Sequence, residues 1–186
     1  ARLQRSKSRS TELGQPVCII VQRYLRDSST DVDSSIVNAA TLAPVRYSAR
    51  VNSSVERFWF RGDSAGGAVV EGDSARRVYA ERSPDPFFLA VADLSVLAAL
   101  PLAPGYEARF ASYNPGRGFH DVQIRVEGLD TLVTLGTPTP AWRVSYDAGA
   151  APTVLWLDAA DHELIRSRST LRNGAIFWRR RMGDGG

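Results

Sequence analysis

The chain has 186 residues, a formal net charge of +3 and a single cysteine, so an intrachain disulfide is excluded. With 44% hydrophobic and 23% charged residues it has ordinary globular composition, long enough to bury a core without cross-links. The positive charge is nearly all arginine, with Lys7 the only lysine, and its excess sits at the two ends. The balanced middle lacks the basic field of a nucleic-acid-binding domain.

Residues 1–15 are rich in Ser and Arg and show no apolar periodicity, so they read as an extended basic arm. Alternation of apolar and polar residues begins at Val17, and residues 17–26 form the first predicted strand. Cys18 lies in its apolar run and reads as a buried small hydrophobe. Residues 27–31 read as a loop. Val45, Tyr47, Ala49 and Val51 then alternate with Arg46, Ser48 and Arg50. After a turn at 52–54, Phe58 and Phe60 point one way and Arg57, Trp59 and Arg61 the other.

The glycine-rich stretch 62–67 reads as a hairpin loop, followed by short strands at 68–71 and 75–81. Pro84 and Pro86 break the pattern. Residues 87–100 make the best helix candidate: Phe87, Val91, Leu94, Leu97 and Ala98 share a face, Asp85 is placed to cap it and Pro101 to stop it. The apolar run 87–102 is too short to span a membrane and is broken by Asp93 and Ser95.

Strands resume with Tyr106, Ala108 and Phe110, and residues 114–118 carry a strong turn signal. His120, Val122, Ile124 and Val126 alternate on the next strand, and Gly128 introduces another at 129–135. Trp142, Val144 and Tyr146 alternate, residues 153–158 follow, and segments 162–171 and 175–181 close the chain around an Asn173-Gly174 pair suited to a type I′ turn. The prediction is mainly β: roughly ten strands in up-and-down order with one main helix, forming one domain over 16–181 with a Gly-rich tail at 182–186.

No catalytic, metal or cofactor motif emerges. The only histidines, His120 and His162, read as structural, and the acidic run at 158–163 reads as a polar hairpin turn. There is no Gly-x-Ser-x-Gly elbow and no P-loop ending on the 62–67 loop. The arginines beside Trp59 and Trp178 are explained by alternating strand faces, without nucleic acid.

Three segments carry a family resemblance: residues 41–46, residues 100–102 with Gly105-Tyr106 and the strand to Tyr113, and Trp142-Arg143-Val144 followed by 155–158, 164–166 and the closing hairpin. In this order the chain resembles the exported bacterial proteins of unknown function of the DUF3108 type. These are similar in architecture to the periplasmic lipoprotein carriers LolA and LolB. The resemblance implies a periplasmic or extracytoplasmic location, with a leader removed. It also implies a strongly curved antiparallel half-barrel sheet with the helix against its concave face, where the carriers take acyl chains.

Three functions follow as expectations. The first is a non-catalytic accessory subunit, docked on a larger, membrane-associated assembly through Arg2, Arg5, Lys7 and Arg9 at one end and Arg179, Arg180 and Arg181 at the other, because such low-complexity ends order against a partner. The alternative is a carrier whose half-barrel holds an apolar ligand such as a lipid on Phe58, Phe60, Trp142, Tyr146 and Trp156. An enzyme of unrecognised type is the third.

Overall fold

Seven strands pair strictly in chain order to make the first sheet: β1 Arg2–Glu12, β2 Gln15–Leu25, β3 Thr30–Asn38, β4 Pro44–Val51, β5 Ser54–Arg61, β6 Ser64–Glu71 and β7 Ala75–Arg82. The computed structural model describes residues 2–25, 30–51, 53–72, 75–83, 85–115, 117–134, 136–171 and 173–180. Short connections make each strand the antiparallel neighbour of the last.

The predicted basic arm is a strand of this sheet. β1 pairs with β2 in unbroken register from Arg2↔Leu25 to Glu12↔Gln15. The Leu13-Gly14 turn joins them with both residues left-handed, φ 51° and 77°, as a two-residue hairpin requires. Arg5, Lys7 and Arg9 lie over Gln22, Ile20 and Cys18, while Ser6, Ser8 and Ser10 face the opposite side. The period-two signal is therefore present, written in long cations and small hydroxyls instead of apolar residues. β3 escapes apolar reading for a related reason: its buried face carries Asp31, Asp33 and Ser35. The glycine-rich loop shrinks to Gly62-Asp63, because Ser64 to Glu71 pair as β6. Gly67 faces Phe58 in that pairing, and a Cβ there would strike the Phe58 ring and the Arg57 carbonyl oxygen.

The second sheet runs β14-β13-β12-β11-β10-β9-β8. Its strands are β8 Phe87–Leu89, β9 Glu107–Asn114, β10 Gly118–Thr134, β11 Thr137–Asp147, β12 Thr153–Asp158, β13 Leu164–Thr170 and β14 Ile176–Arg180. β8 is parallel to β9, and β10 to β14 are antiparallel. Among the described residues, fourteen strands in two sheets thus replace the roughly ten in one sheet expected from sequence. The two strands expected around Gly128 are one: β10 runs through with a bulge at Glu127, where the register steps between Val126 and Gly128.

The predicted helix over 87–100 breaks into three pieces. Phe87–Leu89 pairs with Ala111, Ser112 and Tyr113, Ala90–Ala92 is a 3₁₀ turn, and only Asp93–Ala99 is α-helix (α1). Backbone pairing with β9 outcompetes the helical pattern of the first three residues. Asp93, not Asp85, opens the helix, and its buried Oδ1 accepts a 3.2 Å hydrogen bond from Ser112 Oγ. The closing hairpin also differs: Leu171 N donates to the Ala175 carbonyl and Gly174 N to the Leu171 carbonyl, both at 2.8 Å, so Asn173 and Gly174 do not make a two-residue type I′ turn, and Arg172 lies outside the described residues.

The chain packs as two compact units, Ala1–Asp93 with Ala111–Phe119, and Leu94–Phe110 with His120–Gly186. The first unit's core holds Ile20, Val37, Tyr47, Phe58 and Phe60 of the first sheet together with Phe87, Leu89, Ala92 and Tyr113. The second unit's core gathers Leu97 of α1, Leu102, Val122, Ile124, Val126, Val144, Leu155 and Leu157. Among the described residues, no helix is long and apolar enough to cross a membrane.

Candidate functional site

The sequence-predicted apolar ligand residues do not converge. Phe58 and Phe60 lie in the first unit, with Phe58 ringed by Tyr47 at 6.4 Å, Tyr79 at 5.5 Å and Tyr113 at 5.8 Å between centroids. Phe60 meets Phe87 at 5.9 Å and Tyr113 at 5.7 Å. Trp142 and Tyr146 pack against the core of the second unit. Trp156, one residue off in phase from Leu155 and Leu157, faces the other side of the same sheet, buried there in a small cluster with Ala141 and Ile165.

That opposite face carries the most distinctive constellation of the second unit. Cross-strand register aligns Arg143, Trp156, Arg166 and Arg180 in one row, and Ser145, Val154, Arg168 and Trp178 in the next. Trp156 Nε1 donates to Asp130 Oδ2 at 2.7 Å, which fixes the indole. The Trp178 ring stacks on Trp156 at 6.1 Å and 22°. The Arg166 guanidinium lies 4.4 Å from the Trp156 centroid and 5.1 Å from that of Trp178. Ring quadrupoles attract a cation placed so.

Three arginines of this face are ion-paired. Arg109 pairs with Asp121 at 2.6 Å, Arg125 with Glu107 at 3.4 Å, and Arg143 with Glu127. On β13, Arg166 and Arg168 form no ion pair among the described residues. A concavity of about 640 Å³ runs beside Arg168, lined also by Arg125, Ser145, Tyr146, Asp147 and Val154 among others.

β14 ends this sheet as an edge strand. Ile176, Phe177 and Trp178 are 56%, 50% and 47% exposed. Register places Ile176 and Trp178 on one face, opposite Thr170 and Arg168, and Phe177 on the other. An edge strand apolar on both faces departs from the usual protection of edges by charge, bulge or cover. Of the predicted partner-binding residues, Arg179 and Arg180 belong to β14, and Arg181 lies outside the described residues. Arg2, Arg5, Lys7 and Arg9 belong to β1, the edge of the other sheet.

A second polar grouping sits in the first unit, where register carries Arg5, Gln22, Asp33, Ala49 and Glu56 across five strands. Asp33 is 7% exposed, and its Oδ1 accepts no hydrogen bond. Burial, then the charge of Glu56, pushes its carboxyl up to about 6, against the pull of Arg5. Burial also raises Glu56, and burial with the Asp33 and Glu56 charges raises the Tyr47 hydroxyl. Tyr24 donates to Gln22 Oε1 at 2.6 Å, and Gln22 Nε2 to the Val91 carbonyl at 3.2 Å. Apolar periodicity misses this row, since its members are polar residues on a core face.

The remaining candidates serve the fold. The acidic run forms the β12–β13 turn, where Asp158 Oδ1 accepts from Ala160 N and Asp161 Oδ1 from Glu163 N, both at 2.8 Å. His162 Nδ1 lies 3.2 Å from the Ala98 carbonyl oxygen. Cys18 is half-buried against the first core.

The family comparison matches the model described as "Protein of unknown function (DUF3108)" over residues 8–178. No curated protein and no solved structure matches the chain. The match runs from within β1 to within β14, most of the length of the chain, which therefore belongs to the DUF3108 family.

Proposed function

We propose that the protein is a non-catalytic accessory subunit that docks on a partner protein by accepting one of the partner's strands at the β14 edge. The observation that carries this reading is the exposure of Ile176, Phe177 and Trp178 on both faces of an edge strand. A strand added in the plane of the sheet covers both faces at once and supplies main-chain hydrogen bonds. Trp178, backed by Trp156 and Arg166, has the composition of an interface hot spot. In this reading the protein works outside the cytoplasm, on a membrane-associated assembly.

Native mass spectrometry of the protein gently extracted from its own cells tests this. The wild type is expected in a defined stoichiometric complex, and Phe177→Lys as a folded monomer. A bare wild-type monomer, or a complex indifferent to Phe177→Lys, overturns the reading.

A second reading is a carrier for an apolar ligand such as a lipid: the 640 Å³ concavity has the size of a small-molecule site, with Arg125 and Arg168 placed to hold an anionic head group beside Tyr146 and Val154. Its signature in the same measurement is a monomer bearing extra ligand mass.

A further inference from the structure

We infer that the strand received by β14 carries carboxylates at alternate positions, facing the side of the sheet that bears Trp178. This rests on the edge-docking reading and names the chemistry of its partner. Arg168 stands opposite Trp178, and Arg166 opposite Arg180, two residues further along and so in the next row of the same face. Successive side chains on one face of a strand belong to residues i and i+2. An added strand therefore presents its own i and i+2 residues to these two rows.

The reach is sufficient. Neighbouring strands are about 4.8 Å apart, so β13 and the added strand are separated by about 10 Å. The Arg166 Cζ lies 4.4 Å from the Trp156 centroid on β12 and 5.1 Å from that of Trp178 on β14, so it already contacts the indole that would border the added strand. A Glu side chain coming from the other side closes the remaining gap over the indole. Arginine is the side chain suited to that contact, because it stacks on an aromatic face while its fork binds a carboxylate.

The charge pattern selects an acidic partner. Arg109, Arg125 and Arg143 each pair with a carboxylate on a neighbouring strand, whereas Arg166 and Arg168 make no ion pair among the described residues. A second copy of this chain is disfavoured because β14 itself, Ile176–Arg180, contains no carboxylate to present to the Arg166 and Arg168 rows.

Titration of the full chain with eight-residue peptides, followed by tryptophan fluorescence, tests the inference. The probes alternate Glu and Val, Thr and Val, or Lys and Val. The Glu peptide is expected to bind about tenfold more tightly than the Thr peptide, and the Lys peptide most weakly. Arg168→Gln, which leaves both indoles and Arg166 in place, is expected to shrink the Glu advantage to about twofold, the residue due to Arg166. N-methylation of the Glu peptide's backbone is expected to abolish binding, because it blocks strand pairing and leaves the charge unchanged. Equal binding of the Glu and Thr peptides overturns the acidic partner and leaves edge docking standing. A Glu preference that survives Arg168→Gln unchanged overturns the assignment to this face. If no peptide binds, both readings fall.

Discussion

Asp33 illustrates how a single residue escapes sequence reading and yet governs a measurable property. In Thr30–Asn38 it looks like a loop residue, but register turns it onto a buried face between Arg5 and Glu56. Its carboxyl, raised from 3.8 to about 6, binds a proton more tightly in the folded than in the unfolded chain. The stability this provides is complete below about pH 4 and is lost as pH rises through about 6. Asp33→Asn is therefore expected to remove that loss and to stabilise the protein at pH 7.5 by about 2 kcal/mol, read from urea unfolding at both ends of the range. Gly67 is another residue whose role depends on its neighbour across the sheet. Gly67→Ala places a methyl against the Phe58 ring and the Arg57 carbonyl, and is expected to cost about 3 kcal/mol in the same assay.

At the scale of elements, strands with apolar alternation were legible and strands with polar alternation were not. β4, β5 and β11 follow their apolar patterns, since one face of each meets a core. β1 has an equally regular pattern of cations and serines, yet no hydrophobic signal. Deleting residues 1–13 separates a paired strand from a free arm. Loss of the β1–β2 pairing is expected to destabilise the protein by more than about 2 kcal/mol in thermal or urea unfolding. The segment 87–99 shows the opposite error: helical spacing was legible, but β8 takes its first three residues into a sheet through pairing with a strand more than twenty positions away. The aromatic–arginine ladder is a further property of elements in register. Trp178→Ala removes one indole stack and one cation–π contact, and is expected to cost about 1 kcal/mol of stability in urea unfolding.

For the whole molecule, the decisive feature is that a chain built of meanders puts its ends at sheet edges. β1 and β14 are both edges for this reason, and the charge excess at the termini is a charge excess at edges. The two edges are not equivalent. β1 carries the alternating cations that discourage strand pairing, whereas β14 adds three exposed apolar residues to its arginines. From this difference, Phe177→Lys is expected to release the protein from its complex, and substitution of Lys7 by Ala to leave that complex intact, both read by native mass spectrometry.

The sequence by itself determined the β class, the up-and-down order of most strands, the absence of an intrachain disulfide and the family resemblance that the comparison bears out. These depend on local periodicity, connection length and composition, which are properties of neighbouring residues. Only the tertiary structure decided that there are two sheets, that the basic arm is a strand, that Phe58 and Phe60 lie in a different unit from Trp142, Tyr146 and Trp156, and that Trp156, Arg166 and Trp178 meet. Each of these depends on which strand lies beside which and in what register. That choice is made by long-range pairing and burial, where a shift of one residue turns every side chain to the other face.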